Sequence, residues 1–544
     1  MKKMLRNKWS FLLVLIVAAM LSLPLGLIDS ASGAANKPVL KIAPQRIGSI
    51  ASGVHAGFQQ MIKVQKLSPA EALKKQKEVL LKLPEVKQVD EQPGGNLFVK
   101  FTDGYEILML LGEQTRGTAI TVKPNTTIMP PVTTITPPPA TNQRGSGTAQ
   151  SDINIPSNIY NTQLPGASTS NQQTIINPGL VTKIPAGSIK LPPFLPNSNK
   201  ALLFDALRDC PAEVMGLDNF IKVQLESLGY TVTERYNNDA NLSQAAYIDN
   251  PGYGVVFIST HGGVVGNNFF FAVRPWYTTP PAMNSGYTGT IVMSCYNHST
   301  GKTGFMYAVG KMFAQKYWQL TFPGTLFVLD TCDPNKTNVL DSLPAWVVSR
   351  GASAWVGWDE TVEFFVGDKG SMLLFTKLAN WTKLKDAVQG VYDAGYHPPT
   401  LKTYPADRGD FSLAYWFNDI NQPNIADGID FKSLKTLRNG DSFEAKVSFY
   451  DKPTVKKFHI YVDYNNDNKS EYEVIVTPDK FDVLKVSLMQ APMKIATGTP
   501  NIIGKDYYID IPWSTMSLPS GKLNFMIYNE DSQEKLPLGA WAAM

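Results

Sequence analysis

The sequence predicts an α/β protein built on a mostly parallel sheet flanked by helices, with a small α/β unit before it and an antiparallel β-sandwich after it. Three observations support this fold class. Short apolar runs alternate with helical segments over residues 200–430, a pattern typical of parallel strands joined by crossover helices. A capping box and a hairpin signal mark a compact unit near the amino terminus. Short alternating runs between Gly, Pro and Asn turns fill residues 431–544 and indicate the sandwich.

Length and composition limit the classes of protein to which this chain belongs. Its 544 residues predict several domains, and 43% hydrophobic residues suffice for buried cores. A formal net charge of +4 is too small to indicate binding to nucleic acid. The three cysteines cannot form a disulfide framework, and in an exported chain their odd number leaves at least one thiol unpaired. We therefore expect stability to come from burial, without a required cofactor; the oligomeric state stays open.

Residues 1–35 have the order of segments found in a secretory signal peptide. Four basic side chains come first, an apolar stretch extends from Phe11 to Ile28, and small residues follow. This order predicts cleavage near Ala34 and a secreted or cell-envelope location. The alternative is an uncleaved membrane anchor, since the apolar stretch is long for a signal. Pro24 near its end and the small residues after it favour cleavage.

Residues 39–115 form the predicted amino-terminal unit. A capping box at Ser68–Glu71, with proline at the first helical position, predicts a helix that extends through Leu83. Two alternating strands, Leu97–Phe101 and Glu106–Leu110, are predicted to pair as a hairpin across an Asp-Gly turn.

Residues 116–199 are rich in Pro, Thr, Ser and Asn, with Asp152 as the only acidic residue. Such a segment buries too little apolar area to offset its ordering entropy, so we expect a semi-extended linker. A tether between two modules permits cleavage. One interpretation is therefore an autoprocessed zymogen in which the amino-terminal unit is a pro-domain that covers the site.

Residues 200–430 have the alternating strands and helices of the central domain, and residues 431–544 have the short strands of a jelly-roll or immunoglobulin-like sandwich. The predicted strands of the central domain are Ala201–Phe204, Thr231–Tyr236, Val255–Thr260, Phe269–Val273, Thr290–Ser294, Thr325–Leu329 and Ala352–Trp358, and its predicted helices are Gly216–Leu228, Met306–Tyr317, Leu343–Ser349 and Gly370–Trp381.

Two of these strands lead to side chains that can act as a nucleophile and its base. The strand Val255–Thr260 delivers His261, and the strand Thr325–Leu329 delivers Cys332. Reactive groups of open α/β sheets lie at the carboxyl ends of strands, so these two side chains can meet at one edge. A cysteine is only a few per cent thiolate at neutral pH and needs such a base. Taken singly, each residue also fits a structural role; the combination favours catalysis.

These features resemble the caspase-like cysteine peptidases, the clan of caspases, legumain, clostripain and gingipains, and are closest in motif to the secreted clostripain and gingipain type. The resemblance covers about residues 200–394 and rests on a strand then His261-Gly262, a strand then Cys332, and a Gly-Ala-x-Ala-Trp-Val-Gly-Trp strand. It implies that His261 is the general base and Cys332 the nucleophile, with the backbone amides of Gly262 and Cys332 as the oxyanion hole. Unlike caspases, the chain has Asp333 rather than glycine after the cysteine, and the interval from His261 to Cys332 is 71 residues.

The prediction about substrate specificity depends on Asp330. Residues two positions apart on a strand share a face, so Asp330 lies on the same side as Cys332. A carboxylate there raises the pKa of the thiol unless a cation neutralises it, and clostripain-like relatives resemble this chain in having Asp at this position, where it is taken to receive a basic side chain. We therefore predict substrate contacts by Asp330, with Trp358 and Asp359 beside it. The alternative is that Asp330 accepts hydrogen bonds from turn amides.

Two further groups of residues have more than one interpretation. Cys295, which also ends a strand, is the second candidate nucleophile. Asp463, Asn465 and Asp467 alternate as the ligands of a calcium loop do, although the turn glycine and the bidentate glutamate are absent. A polar hairpin turn is the alternative to a structural calcium site.

The rival function is a caspase-like surface or binding protein without activity, since a fold alone implies no chemistry. The β-rich tail and the Thr/Pro-rich linker fit envelope association in either case. A peptidase requires protein or peptide substrates.

Overall fold

A computed structural model describes residues 42–112, 175–176, 182–184, 197–208, 216–250, 252–283, 285–297, 302–335, 342–418, 426, 428, 430–465, 469–487, 490–518, 523–532 and 535–536. The predicted signal peptide, most of the predicted linker, Asp467 and the third cysteine, Cys210, lie outside these residues. None of the helices in the described parts of the chain has the length and apolar character that crossing a bilayer requires.

The described helices range from one to five turns. They are α1 Pro44–Lys63, α2 Pro69–Leu80, α3 Leu217–Ser227, α4 Leu242–Ala245, α5 Lys311–Tyr317, α6 Leu343–Ser349, α7 Phe364–Ala379, α8 Leu384–Asp393 and α9 Trp513–Met516.

The described strands up to residue 418 are β1 Val86–Gln92, β2 Asn96–Phe101, β3 Glu106–Met109, β4 Ile175–Ile176, β5 Thr182–Lys183, β6 Lys200–Asp205, β7 Thr231–Tyr236, β8 Val255–Ser259, β9 Gly262–Val265, β10 Asn268–Tyr277, β11 Thr290–Asn297, β12 Lys302–Gly310, β13 Leu326–Asp330, β14 Ala354–Trp358, β15 Leu401–Tyr404 and β16 Tyr415–Asn418. The later strands are β17 Phe431–Asn439, β18 Ser442–Phe449, β19 Phe458–Asp463, β20 Tyr472–Val476, β21 Phe481–Ser487, β22 Gln490–Gly498, β23 Asn501–Ile503, β24 Asp506–Pro512, β25 Asn524–Asn529 and β26 Lys535–Leu536. The mixed α/β class is confirmed.

The six-stranded sheet that carries the predicted catalytic residues has the order β15-β14-β13-β8-β6-β7. All its neighbours pair parallel except the edge strand β15. β8 and β13 are buried along their whole length, as expected for inner strands of a parallel sheet with both faces covered. The carboxyl ends of β6, β8 and β13 therefore share one edge, as the alternation of strands and helices predicted.

A second sheet of seven strands has the order β1-β2-β3-β11-β12-β10-β9. Its first three strands come from the predicted amino-terminal unit and its last four from the insertion after His261. The described residues up to Gly112 and those from 197 to 416 accordingly form one compact unit. Pairing between segments so distant along the chain leaves no signal in local sequence patterns.

The helix predicted from Met306 is wrong over its first residues, because β12 continues to Gly310 and only Lys311–Tyr317 is helical. β12 lies between β10 and β11 and pairs antiparallel with both. Two ladders of hydrogen bonds override the helix propensity of Met and Ala in this stretch.

The capping box forms as predicted, since Ser68 accepts from the backbone of Glu71 and the Glu71 side chain accepts from the backbone of Ser68. The helix that it opens ends at Leu80, three residues before the predicted end. The helix α7 begins six residues before its predicted start at Gly370.

The second compact unit contains two sheets of mostly antiparallel strands, β17-β18-β24-β23 and β26-β25-β19-β20-β21-β22 among them. Aromatic rings join the two sheets: the ring centroids of Phe431 and Phe458 are 5.9 Å apart, and those of Phe443 and Phe525 are 5.6 Å apart. These contacts are those of a sandwich core. The short strands β4 and β5, within the predicted linker, pair parallel with β22, an association that linker composition does not predict.

Candidate active site

The register of the six-stranded sheet brings the two predicted catalytic side chains to one edge. β8 and β13 are parallel, with Ser259 opposite Asp330. His261 follows Ser259 by two residues and Cys332 follows Asp330 by two residues. Adjacent strands lie about 4.8 Å apart, and residues two positions apart on a strand share a face. His261 and Cys332 therefore follow neighbouring strand ends at one edge of the sheet.

Both side chains contact the segment that leads into α7. The thiol of Cys332 donates to the carbonyl oxygen of Val362, with Sγ and O 3.6 Å apart. The His261 ring lies edge-on to Phe364, with centroids 5.8 Å apart, and its centroid is 6.2 Å from that of Trp276. His261 and Cys332 each expose only 5% of their surface. The pair is thus largely shielded from water, which strengthens electrostatic interactions between them and their neighbours.

Gly262 packs directly against the backbone of Cys332. A Cβ atom at Gly262 would lie 2.6 Å from the carbonyl oxygen of Cys332 and 3.0 Å from Cβ of Thr331. The first distance is too short for any side chain, so this position needs glycine unless the backbone shifts. The backbone segments of Gly262 and Cys332 therefore lie side by side.

The backbone of Asp333 explains why glycine can be absent after the cysteine. Its φ is +60°, in the left-handed region that glycine adopts freely and Asp more readily than most residues. The N–H of Asp333 donates to the carbonyl oxygen of Glu360 at 3.1 Å, and the Thr361 hydroxyl lies 3.2 Å from Asp333 Oδ2. These contacts hold the loop after Cys332 against the loop after β14.

Replacing Asp333 tests whether this conformation matters. A β-branched residue in the left-handed region costs about 1–2 kcal/mol of strain, and glycine costs none. We expect Asp333→Val to lower the free energy of unfolding by at least about 1 kcal/mol more than Asp333→Gly does, measured by urea denaturation. Equal losses in the two variants would show that the hydrogen bonds of the side chain, rather than the backbone angle, determine the effect.

Asp330 is buried beneath α7. Its Oδ2 accepts a hydrogen bond from the Ser371 hydroxyl at 3.0 Å, and Gly367 of the same helix leaves space for its other oxygen. Burial raises the pKa of Asp330 to about 7, and the neighbouring Ser371, Trp358 and Asp368 side chains limit that rise. The carboxyl group is therefore poised to gain or lose a proton near neutral pH, and α7, more than turn amides, provides its hydrogen bond.

Asp330 belongs to a row of polar side chains across three strands. Ser259 lies opposite both Asp330 on β13 and Asp205 on β6. In-register residues of parallel strands point to the same side of a sheet. Asp205 in turn interacts with Asp218 of α3, whose pKa is raised to about 9 by burial and by the charge of Asp205. Carboxyl groups thus lie close together where β6 and β13 end, a feature that strand register reveals and sequence spacing does not.

The other predicted substrate-binding residues lie at the end of β14. Trp358 is fully buried against Gly370 of α7. Asp359 accepts a hydrogen bond from the backbone of Thr400 at 2.8 Å and forms an ion pair with Lys402, with Oδ2 and Nζ 2.7 Å apart. Trp358 therefore lies beside the Asp330 carboxyl group, whereas the charge of Asp359 already has a cation partner.

The remaining candidates lie elsewhere. Cys295 is fully buried in β11, a strand of the seven-stranded sheet. Asp463 is buried at the end of β19, where its Oδ1 accepts a hydrogen bond from the backbone of Asn465 at 3.1 Å, as in a polar turn. Among the described residues, no group of three or more His, Cys, Asp or Glu has a geometry that could hold a metal ion, and calcium binding stays a prediction.

Two side chains beside the predicted base escaped prediction from the sequence. Trp276 comes from β10, the second strand after His261, and Phe364 comes from α7, much later in the chain. Both rings have their centroids within 6.2 Å of that of the imidazole ring. A glycine at position 304 makes room for the Trp276 indole. An aromatic residue in a strand indicates that the side chain is buried, but it does not indicate which residues that side chain contacts.

No protein-family model matches this chain, and no curated protein matches it either. Among the solved structures that resemble part of it are two from one protein. The complex of Porphyromonas gingivalis RgpB pro- and mature domains has a TM-score of 0.26 and 11% identity over 56% of this chain and 69% of that chain. The Arg-specific cysteine proteinase gingipain R (RgpB) has a TM-score of 0.26 and 11% identity over 56% of this chain and 67% of that chain. These values are low, and the case for an active site depends on the geometry described above.

Proposed function

We propose that this chain is a secreted cysteine endopeptidase in which Cys332 is the nucleophile and His261 the general base. The proposal rests on the parallel register of β8 and β13. This register places the ends of two strands that are distant in sequence next to each other. The contact of Gly262 with the Cys332 backbone supports it. A histidine, a thiol and adjacent backbone amides are together the groups that acyl transfer from a peptide requires.

The reaction that these groups support has two halves. His261 accepts the thiol proton of Cys332, and the thiolate attacks the carbonyl carbon of the scissile peptide bond. The backbone amides of Gly262 and Cys332 stabilise the oxyanion. His261 then donates the proton to the leaving amine, which gives a thioester on Cys332. Water activated by His261 hydrolyses this thioester and restores the thiol.

We further propose that the substrate presents Lys or Arg at the cleaved position, next to Asp330. The support is the position of Asp330 and Asp205, which end β13 and β6 at the edge of the sheet where His261 and Cys332 follow β8 and β13. A buried carboxylate is costly in isolation and gains from a cationic partner. A basic substrate side chain supplies that partner, and its binding would favour the charged form of Asp330.

The pH dependence of substrate preference tests both proposals. Burial raises the pKa of Asp330 to about 7, so its charged fraction should rise as the pH rises through neutrality. We expect turnover of fluorogenic peptides, with the ratio of kcat/KM for P1 Arg over P1 norleucine rising from pH 5.5 to pH 8. These two pH values are roughly 1 to 1.5 units either side of the raised pKa, which spans most of the titration.

Asp330→Asn should lower that ratio at least about tenfold at pH 8, since a charge-assisted hydrogen bond contributes about 1.5–3 kcal/mol, and should make it independent of pH. Asp359→Asn is the matched control, because Asp359 is already paired with Lys402, and its ratio should stay near that of the wild type. A fall of the kcat/KM ratio in Asp359→Asn alone would identify Asp359 as the residue that binds the basic P1 side chain. Absence of turnover for every peptide would contradict the peptidase itself.

The second candidate function is a caspase-like surface or binding protein without activity. The low exposure of His261 and Cys332 favours it, as does the hydrogen bond from the Cys332 thiol to Val362, which retains the proton on sulfur. Under this alternative the chain would turn over no peptide, and alkylation of Cys332 by a peptide chloromethyl ketone would be no faster than by iodoacetamide.

A further inference from the structure

The amino-terminal segment, residues 42–112, contacts both loops that carry the proposed catalytic side chains. A Cβ atom at Gly263, two residues after the base, would lie 2.9 Å from Leu108 Cδ2 and 3.0 Å from Leu110 Cδ2. On the other side, the turn at Gly94 packs against the carboxylate of Asp333, the residue after the nucleophile. The segment therefore supports the site from two directions.

A hydrogen-bonded cluster holds the turn at Gly94 in place. The Thr361 hydroxyl lies 3.3 Å from the carbonyl oxygen of Gly94. Oδ1 of Asn96 accepts from the backbone N–H groups of Leu111 and Gly112, at 3.0 and 3.2 Å. Asn96 is 1% exposed, so these bonds form in the interior, where leaving them unmade is costly. The start of β2 and the end of the segment are thus tied together beside the loop of Asp333.

The same segment completes the seven-stranded sheet. β3 pairs parallel with β11, with Ile107 opposite Val292 and Leu108 opposite Met293. Without β3, the edge of β11 would expose unpaired backbone groups along an apolar strand, a form of edge that folded proteins avoid. The His55 ring on α1 also lies 3.1 Å, from Nε2 to Oγ, from Ser294 of the same strand.

The segment shares its apolar core with the six-stranded sheet that leads to the proposed catalytic residues. Its side chains from α1, β2 and β3 belong to one continuous apolar cluster that also contains side chains of β6, β8 and β13. Every residue from Ile107 to Leu111 is fully buried. An interface of this kind resembles a domain core divided in two, which is the character of obligate rather than transient association.

From these contacts we propose that the amino-terminal segment is a permanent part of the catalytic unit. A cut anywhere in residues 113–174 would then give a two-chain protein in which residues 42–112 stay bound as a noncovalent partner of the carboxyl-terminal chain. This differs from a removable pro-domain, whose departure would have to expose β11 and the shared core. The inference does not depend on the proposed peptidase activity.

An added protease tests the inference without any turnover by the protein itself. The mature chain carrying Cys332→Ala, which excludes self-cleavage, receives a recognition sequence for a site-specific protease after Gly145. After complete cleavage, verified on a denaturing gel, the sample is separated by size-exclusion chromatography in native buffer and in urea. We expect both chains to co-elute in native buffer at the volume of the uncut protein, and to separate only in urea.

In this experiment the light chain is the amino-terminal fragment and the heavy chain is the carboxyl-terminal fragment. Elution of the light chain alone, with the heavy chain still soluble and with unchanged circular dichroism, would overturn the inference. Aggregation of the heavy chain on release of the light chain would support it. Tyr105→Phe removes a hydrogen bond from its hydroxyl to the Pro281 carbonyl oxygen, 2.8 Å away in the interface, and should release the light chain at a lower urea concentration. Val223→Ala, at an exposed position of α3 outside this interface, is the matched control and should release it at the wild-type concentration.

Failure of the proposed function would look different. If the chain proves to be no peptidase, the two cut chains should still co-elute, because the contacts that join them involve no catalysis. If instead the light chain is released and peptide turnover by the wild type continues, the proposed function stands and the inference falls.

Discussion

Cys332→Ala should abolish peptide hydrolysis, with kcat falling at least about 10⁴-fold, as happens when an enzyme loses its nucleophile. The reason is chemical: without the sulfur no thioester forms, and the remaining groups can only polarise the carbonyl. His261→Ala should lower kcat by about 10²–10⁴-fold, because the thiol then depends on bulk water to remove its proton. Initial rates with a P1 Arg peptide measure both losses.

Cys295→Ala is the matched control for the thiol. Cys295 is fully buried in the seven-stranded sheet, on β11 rather than at the edge where the strands β8 and β13 end. We expect its turnover to stay within about twofold of the wild type, since the substitution removes only a small buried atom. If Cys295→Ala lost activity and Cys332→Ala retained it, Cys295 would be the nucleophile, which would contradict the proposed site.

A second readout separates chemistry from folding in these variants. Circular dichroism should be close to that of the wild type for both Cys332→Ala and His261→Ala. The urea midpoint should change little for Cys332→Ala, whereas His261→Ala, which removes a buried ring packed against Trp276 and Phe364, should lower it. A variant that has lost both activity and its unfolding transition carries no information about catalysis. Iodoacetamide should label Cys332 in the wild type faster than in His261→Ala, since the imidazole raises the fraction of thiolate.

The strands of the six-stranded sheet could be predicted because parallel strands are marked by unbroken apolar runs. Val255–Ser259 and Leu326–Asp330 contain β-branched and aromatic residues bounded by turn residues, and periodicity finds such runs. Their adjacency could also be expected, because alternating strands and helices leave few topologies. The strand register, which aligns Ser259 with Asp330 and Asp205, is a property of the folded sheet and had to be observed.

The amino-terminal segment shows where local patterns fail. The helix Pro44–Lys63 has apolar residues at Ile47, Ile50, Val54 and Phe58, a spacing that indicates one buried face. Three glycines in the same stretch weaken its helix propensity, and it was not predicted. What covers that face is a sheet assembled from strands nearly 200 residues apart, and no pattern within the segment specifies that pairing.

Leu108→Ala should lower the free energy of unfolding by about 2–5 kcal/mol, the range for removing a fully buried leucine side chain. Leu108 is fully buried in β3, opposite Met293 and against Gly263. The cavity would lie between the amino-terminal segment and the loop of His261. Leu81→Ala, at a half-exposed position after α2, should change stability by no more than about 0.5 kcal/mol.

Hydrogen exchange identifies which part of the fold loses stability in Leu108→Ala. If the segment and the catalytic sheet unfold as one cooperative unit, amides of β13 should exchange faster in the variant, by about 30-fold or more for a loss of 2 kcal/mol. Exchange that accelerates only in β1, β2 and β3 would indicate a segment that opens by itself. That outcome would favour a detachable pro-domain, because a unit able to open without disturbing β13 could also leave after cleavage.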